Sequence, residues 1–201
     1  MRRILISCVA LLGLILASTD ALAEAVQPAA ELPACAAAGD ATPAAGGDLA
    51  DRPEWQTMEL TNAATGETFT VAELAGCTIL VEPMATWCVV CFDQMQRNQE
   101  ALADLGTDDY LMLVISIETE LAPEDLARYA EETGFPFLFT VAPVDLLVAL
   151  EETFGRSLLV PPATPQFYIA ADGSTSDLIL GGASAETIVE EMERLAREGA
   201  V

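Results

Sequence analysis

Two cysteines separated by two valines, Cys88 and Cys91, stand where the residue pattern of the chain changes its period. Upstream, Thr78, Ile79, Leu80 and Val81 make a short apolar run that reads as a buried strand, and downstream, residues 92–105 read as a helix. At a strand-to-helix junction both thiols face the same way. Cys88 falls at the helix N-terminus, where unpaired N–H groups and the helix dipole favour an anion over a neutral thiol. In motifs of this kind the thiol pKa drops from about 8.5 to roughly 3.5–7.5, so the thiolate is well populated near neutrality. Cys91, one turn further on, is placed to close the ring as a disulfide. Such a pair is a two-electron switch, and the chemistry it points to is thiol–disulfide exchange.

A Cys-x-x-Cys pair is also half of many zinc sites. Zinc takes four ligands, usually Cys and His, and the chain has no His and no second pair of this spacing. No metal set and no cofactor are therefore expected. Soft thiolates hold Cu(I) with only two ligands, so an exported copper carrier using the same two cysteines stays open as the most different alternative.

Charge narrows the partners. Thirty-two acidic residues face eight basic ones, all arginine, for a formal net charge of −24. A surface of this sign repels phosphate backbones and anionic lipid head groups, which excludes nucleic acid as a partner. With 201 residues the chain is long enough to bury one ordinary core, so a single folded domain is expected.

Residues 1–23 read as a signal peptide: Arg2 and Arg3 supply positive charge, residues 4–17 are apolar, and Ala21-Leu22-Ala23 offers a small-x-small cleavage pattern. The expected location is the periplasm or another extracytoplasmic face, with membrane anchoring the alternative if the segment is retained. Residues 24–54, rich in Ala, Pro, Gly and acids, lack apolar periodicity and read as a flexible spacer. Residues 55–201 form the expected domain. Residues 58–60 and 68–71 read as a leading hairpin around Thr65-Gly66, and residues 110–117 as a central strand buried on both faces. A helix opens at Pro123 and stops at Gly134, an extended piece covers 135–141, and a second helix runs from Pro143 to a stop at Gly155. Residues 166–169 and 177–180 flank Asp172-Gly173 as a second hairpin, and residues 185–197 have the spacing of an amphipathic helix.

Taken with the run Ile79 through Cys91, the leading hairpin, the helix inserted from Pro123, and Thr164-Pro165 ahead of Gln166-Phe167-Tyr168-Ile169, residues 58–195 resemble the exported TlpA-like group of thioredoxin-fold thiol:disulfide oxidoreductases. The resemblance implies an α/β fold: a thioredoxin-like three-layer sandwich with a mixed central sheet, an N-terminal hairpin and a helical insertion. It implies Cys88 as the exposed nucleophile and Cys91 as the resolving thiol of a redox-active disulfide, with Trp87 shielding the pair and offering an apolar docking surface. In the group, the proline opening the strand opposite the cysteines is cis and its neighbour pairs with the substrate chain, which makes Thr164 and Pro165 the substrate-facing loop. Glu82 holds the position of a buried acid, whose raised pKa would suit it to take the proton from Cys91. The group often has an acid three residues after its second cysteine and a proline two further on; here these are Gln94 and Gln96.

The expected activity is reduction of protein disulfides, because Val89 and Val90 bring no charge or donor to stabilise the Cys88 thiolate. Net disulfide oxidation is the alternative. A reductant in an oxidising compartment needs electrons, and a membrane-embedded donor is the expected partner besides the dithiol or disulfide substrates. Cys35 and Cys77 are left as a pairing that spacing alone cannot decide.

Overall fold

The computed structural model describes residues 32, 52–106 and 109–198. The segment expected to be a signal peptide, most of the expected spacer and Cys35 lie outside the described residues. Among the described residues no helix is long and apolar enough to cross a membrane.

A hairpin of β1 (Leu60–Thr61) and β2 (Thr68–Phe69) leads the domain, paired antiparallel. A single 3-10 turn, Val71–Leu74, then carries the chain to the main sheet; Thr70 and Glu73 close a reciprocal capping box around it. The main sheet has β3 (Thr78–Met84), β4 (Tyr110–Ser116), β5 (Leu138–Val141) and β6 (Phe167–Ile169), in the order β5-β4-β3-β6. The pairs β3–β4 and β4–β5 are parallel and β3–β6 is antiparallel, so the sheet is mixed as expected.

Helices α1 (Val89–Leu105), α2 (Pro123–Thr133), α3 (Val144–Phe154) and α4 (Ala185–Glu198) complete the domain. Successive β3 side chains alternate between two cores. Leu80 and Met84 face a core shared with Met95 of α1, Leu126 of α2 and Ile188 and Met192 of α4. Ile79 and Val81 face another, shared with Leu146 and Leu150 of α3, the hairpin residues Leu60 and Phe69, and Trp55. Helices on both faces of one sheet give the three layers. Trp55 meets the rings of Phe154 and Phe167 edge-on, which ties the start of the domain to α3 and β6.

The second hairpin departs from expectation. Residues 177–180 form no regular strand; Ile179 meets Gln166 at one isolated bridge, and Thr175, ahead of them, meets Ile169 at another. Three steps along one chain oppose four along the other, so one residue bulges. The Ser176 side chain occupies part of the ladder, its Oγ accepting the Tyr168 N–H at 2.9 Å.

Met84, Ser116 and Val141 lie in one register row at the carboxyl edge of the three parallel strands. The loops leaving that row, 85–88, 117–122 and 142–143, therefore gather at one end of the domain, together with the N-termini of α1 and α3.

Candidate active site

Cys88 is the N-cap of α1 and Cys91 lies in its first turn; the two form a disulfide. The backbone N–H of Cys91 donates to Cys88 Sγ at 3.3 Å. One of the four donors that an α-helix leaves unpaired at its start is thus directed at the N-cap sulfur, an arrangement that favours negative charge there. The loop before it is closed by the Cys88 N–H donating to Ala85 O at 2.9 Å.

Exposure differs sharply across the motif. Trp87 is 63 % exposed and Val89 72 %, whereas Cys88 is only 4 % exposed and Cys91 is fully buried. The expectation of an exposed Cys88 is corrected to that extent: the N-cap turn tucks the sulfur against the helix end and leaves its neighbours outside.

The opposite wall is also a correction. Cys91 Sγ lies 3.3 Å from the carbonyl oxygen of Pro161, so the loop brought onto the disulfide is the one expected, but through Pro161 and not Pro165. The described residues contain no cis peptide bond; the Thr164–Pro165 bond is trans, and Thr164 turns the chain with a left-handed backbone, φ 43° and ψ 59°. That turn buries Thr164 and Pro165 and commits the Thr164 N–H to Pro161 O at 2.8 Å, leaving Val160 and Pro162 as the exposed residues of the loop.

Beneath the disulfide, Glu82 is buried on the face of β3 that α1 covers. Asn98 Nδ2 donates to its Oε2 at 2.5 Å and Gln166 Nε2 donates to the same oxygen at 3.1 Å. The β3–β6 register, with Val81 opposite Phe167, sets Gln166 beside Glu82. Asn98 Oδ1 accepts from Gln166 Nε2 at 3.1 Å and from Gln94 Nε2 at 2.9 Å. Gln94 Oε1 in turn accepts from Arg97, and its amide donates to Ala183 O. A polar chain thus runs from Glu82 to a half-buried arginine. Burial pushes the Glu82 pKa up to about 7; the hydrogen bonds from Asn98 and Gln166 and the charge of Arg97 pull the other way and only partly offset it.

Asn98, Gln166 and the inward role of Gln94 were missed by sequence reasoning. The signal was present: Cys91, Gln94 and Asn98 follow the i, i+3, i+7 spacing of one helix face, and a polar residue on an otherwise apolar stripe asks for a partner. Gln96 is exposed. Cys77 is buried ahead of β3; the question of a Cys35–Cys77 pair turns on a residue outside those described.

No family model matches the chain, and no curated protein matches its sequence. Solved structures do resemble it. A thioredoxin-family thiol:disulfide interchange protein from Chlorobium tepidum is 18 % identical over 69 % of this chain and 92 % of its own, with a TM-score of 0.57. The exposed lipoprotein thioredoxin of Streptococcus pneumoniae is 21 % identical over 69 % of this chain and 98 % of its own, TM-score 0.55. A copper-bound ScoI from Arabidopsis thaliana is 11 % identical over 70 % of this chain and 96 % of its own, TM-score 0.56. Likeness at this level of identity speaks to architecture, and with the sheet order, the layers and the helix-capping cysteine pair it shows that the chain has the thioredoxin fold.

Proposed function

We propose that this protein is an exported thiol:disulfide oxidoreductase whose net direction is reduction of protein disulfides. The observation that carries the reading is the Cys88–Cys91 disulfide at the start of α1, with the Cys91 N–H directed at Cys88 Sγ.

In the reduced form the Cys88 thiolate attacks one sulfur of a substrate disulfide. A mixed disulfide forms, and the other substrate sulfur leaves as a thiolate and takes a proton from solvent. Cys91 then loses its proton and attacks Cys88 Sγ, releasing the second substrate thiol and closing the protein's own disulfide. Two electrons pass from the protein to the substrate. Glu82 is the residue we assign to accept the Cys91 proton, since a carboxyl with a pKa of about 7 holds either state near neutrality. Trp87 is the docking surface, and the loop holding Thr164 and Pro165 borders the substrate through the exposed residue Pro162. Electrons return from a membrane-embedded donor.

The test is the reduction potential of the pair, equilibrated against glutathione or dithiothreitol. A value near or below about −220 mV supports a reductant, and one near about −120 mV places the protein with the oxidases. Failure to form a reversible disulfide, with stoichiometric copper retained after purification, would overturn the reading in favour of a copper carrier.

A further inference from the structure

The end of the domain that carries Cys88 is apolar at its centre and predominantly acidic around it. Trp87, Val89 and Val90 are exposed beside the disulfide, and so is Val144 in the first turn of α3. The segments that gather there, 85–93, 117–122 and 142–149, contain no arginine, and the loop segments across the disulfide, 160–166 and 178–184, contain none either. The charged residues of the first three segments are Asp93, Glu118, Glu120 and Asp145, all acidic, and the last two segments carry none; the arginine that reaches them is Arg97, on Ala183 O.

One of these carboxylates is fixed in place. Glu118 Oε2 accepts the Thr86 N–H at 2.6 Å and the Thr86 hydroxyl at 2.9 Å. Thr86 N belongs to the Ala85 peptide, whose oxygen accepts from the Cys88 N–H at 2.9 Å. The carboxylate and the Cys88 nitrogen are therefore within about 8 Å of each other by covalent geometry. That is about one Debye length at physiological ionic strength, so the charge acts on whatever docks at Cys88. Both bonds fall on Oε2, and no ion pair neutralises the group: the ion pairs among the described residues use Arg128, Arg156, Arg194 and Arg197. Arg97 is committed to Gln94 and Ala183, and Arg52 to Gln56 and Asp172.

We infer that the surface around Cys88 takes disulfide-bearing segments of cationic proteins, with Trp87, Val89 and Val90 covering the apolar part and Glu118 selecting lysine or arginine next to the substrate cysteine. The inference rests on the proposed disulfide exchange and adds the substrate class. An anchored, uncompensated carboxylate needs no ordering when a cation arrives, whereas a flexible surface acid loses side-chain freedom to do the same work.

The experiment uses three disulfide-closed peptides identical except for Lys, Ser or Glu beside each cysteine, with the purified protein recycled by dithiothreitol. At low salt, kcat/KM for the Lys peptide is expected to exceed that for the Glu peptide by about tenfold or more, falling below about threefold in 0.5 M salt. Glu118→Gln, which keeps an oxygen for Thr86 but loses the charge, is expected to cut the low-salt preference about threefold, mainly through KM. Glu152→Gln, the same charge change at the far end of α3, should leave it nearly unaltered. Exchange with the Ser peptide but equal rates on the other two would overturn the inference and leave the oxidoreductase reading standing. Equal effects of the two substitutions would also overturn it, by assigning the preference to net charge alone. No exchange with any peptide would overturn both.

Discussion

Asn98 Nδ2 donates to Glu82 Oε2 at 2.5 Å, joining the second turn beyond Cys91 on α1 to the middle of the strand that delivers the cysteines. The other oxygen of Glu82 and the Oε1 of Gln166 are both buried without a partner. The two amide donors on Oε2 favour the carboxylate, and burial outweighs them, leaving the Glu82 pKa at about 7.

Stability should fall as Glu82 is forced to ionise. Its folded pKa is raised from 4.5 to about 7, so below pH 4.5 both folded and unfolded states hold the proton and the group is neutral to stability. Between pH 4.5 and 7 the unfolded chain releases the proton first, which draws the equilibrium toward unfolding, and above 7 the loss is complete. The full effect is about 3 kcal/mol by linkage. Urea unfolding of wild type and Glu82→Gln at pH 5 and pH 8 measures it: the variant should gain about 2–3 kcal/mol relative to wild type between the two.

Exchange should slow in the same variant. If Glu82 takes the proton from Cys91, Glu82→Gln lowers the rate of the resolving step about tenfold or more and removes an inflection near pH 7 from its pH profile. Stopped-flow Trp fluorescence follows the step, and a profile unchanged from wild type would remove Glu82 from the mechanism.

Removing the Asn98 amide should push Glu82 further toward its neutral form. Asn98→Ala deletes a donor to the carboxylate and leaves Gln94 and Gln166 each with one less acceptor. The expected outcomes are a further rise in the Glu82 pKa and a loss of about 1–3 kcal/mol of stability, the usual cost of stranding buried polar partners. Carboxyl infrared difference spectra and thermal melts report the two separately.

The two cysteines should part company on substitution. Cys91→Ser leaves the N-cap sulfur in place and should accumulate a mixed disulfide through Cys88 that is stable to gel filtration; Cys88→Ser should accumulate none, since Cys91 is fully buried behind Pro161. Mass spectrometry after incubation with a disulfide peptide distinguishes them. Equal adduct yields would reverse the assignment of nucleophile and resolving thiol.

Apart from the strand expected at 177–180, the order of strands and helices, the strand-to-helix seat of the cysteines and the leading hairpin were legible along the chain, because each depends on patterns a few residues long: β-branched runs and proline and glycine punctuation. Glu82 stood out for the same reason, as a carboxylate inside an apolar strand. What surrounds it did not. Asn98 and Gln166 are 16 and 84 residues from Glu82, and only the packing of α1 on β3 and the antiparallel register of β6 bring their amides to one oxygen.

The same division holds around the disulfide. Local sequence determined that Cys88 caps a helix, since N-capping is decided within one turn. Tertiary structure decided how much of Cys88 is exposed, which carbonyl faces Cys91, and that Glu118, 32 residues beyond Thr86, pins the loop before it. Hydrogen bonds and burial between segments distant in sequence depend on the register and layering of the whole sheet, and neither is written in any short stretch of residues.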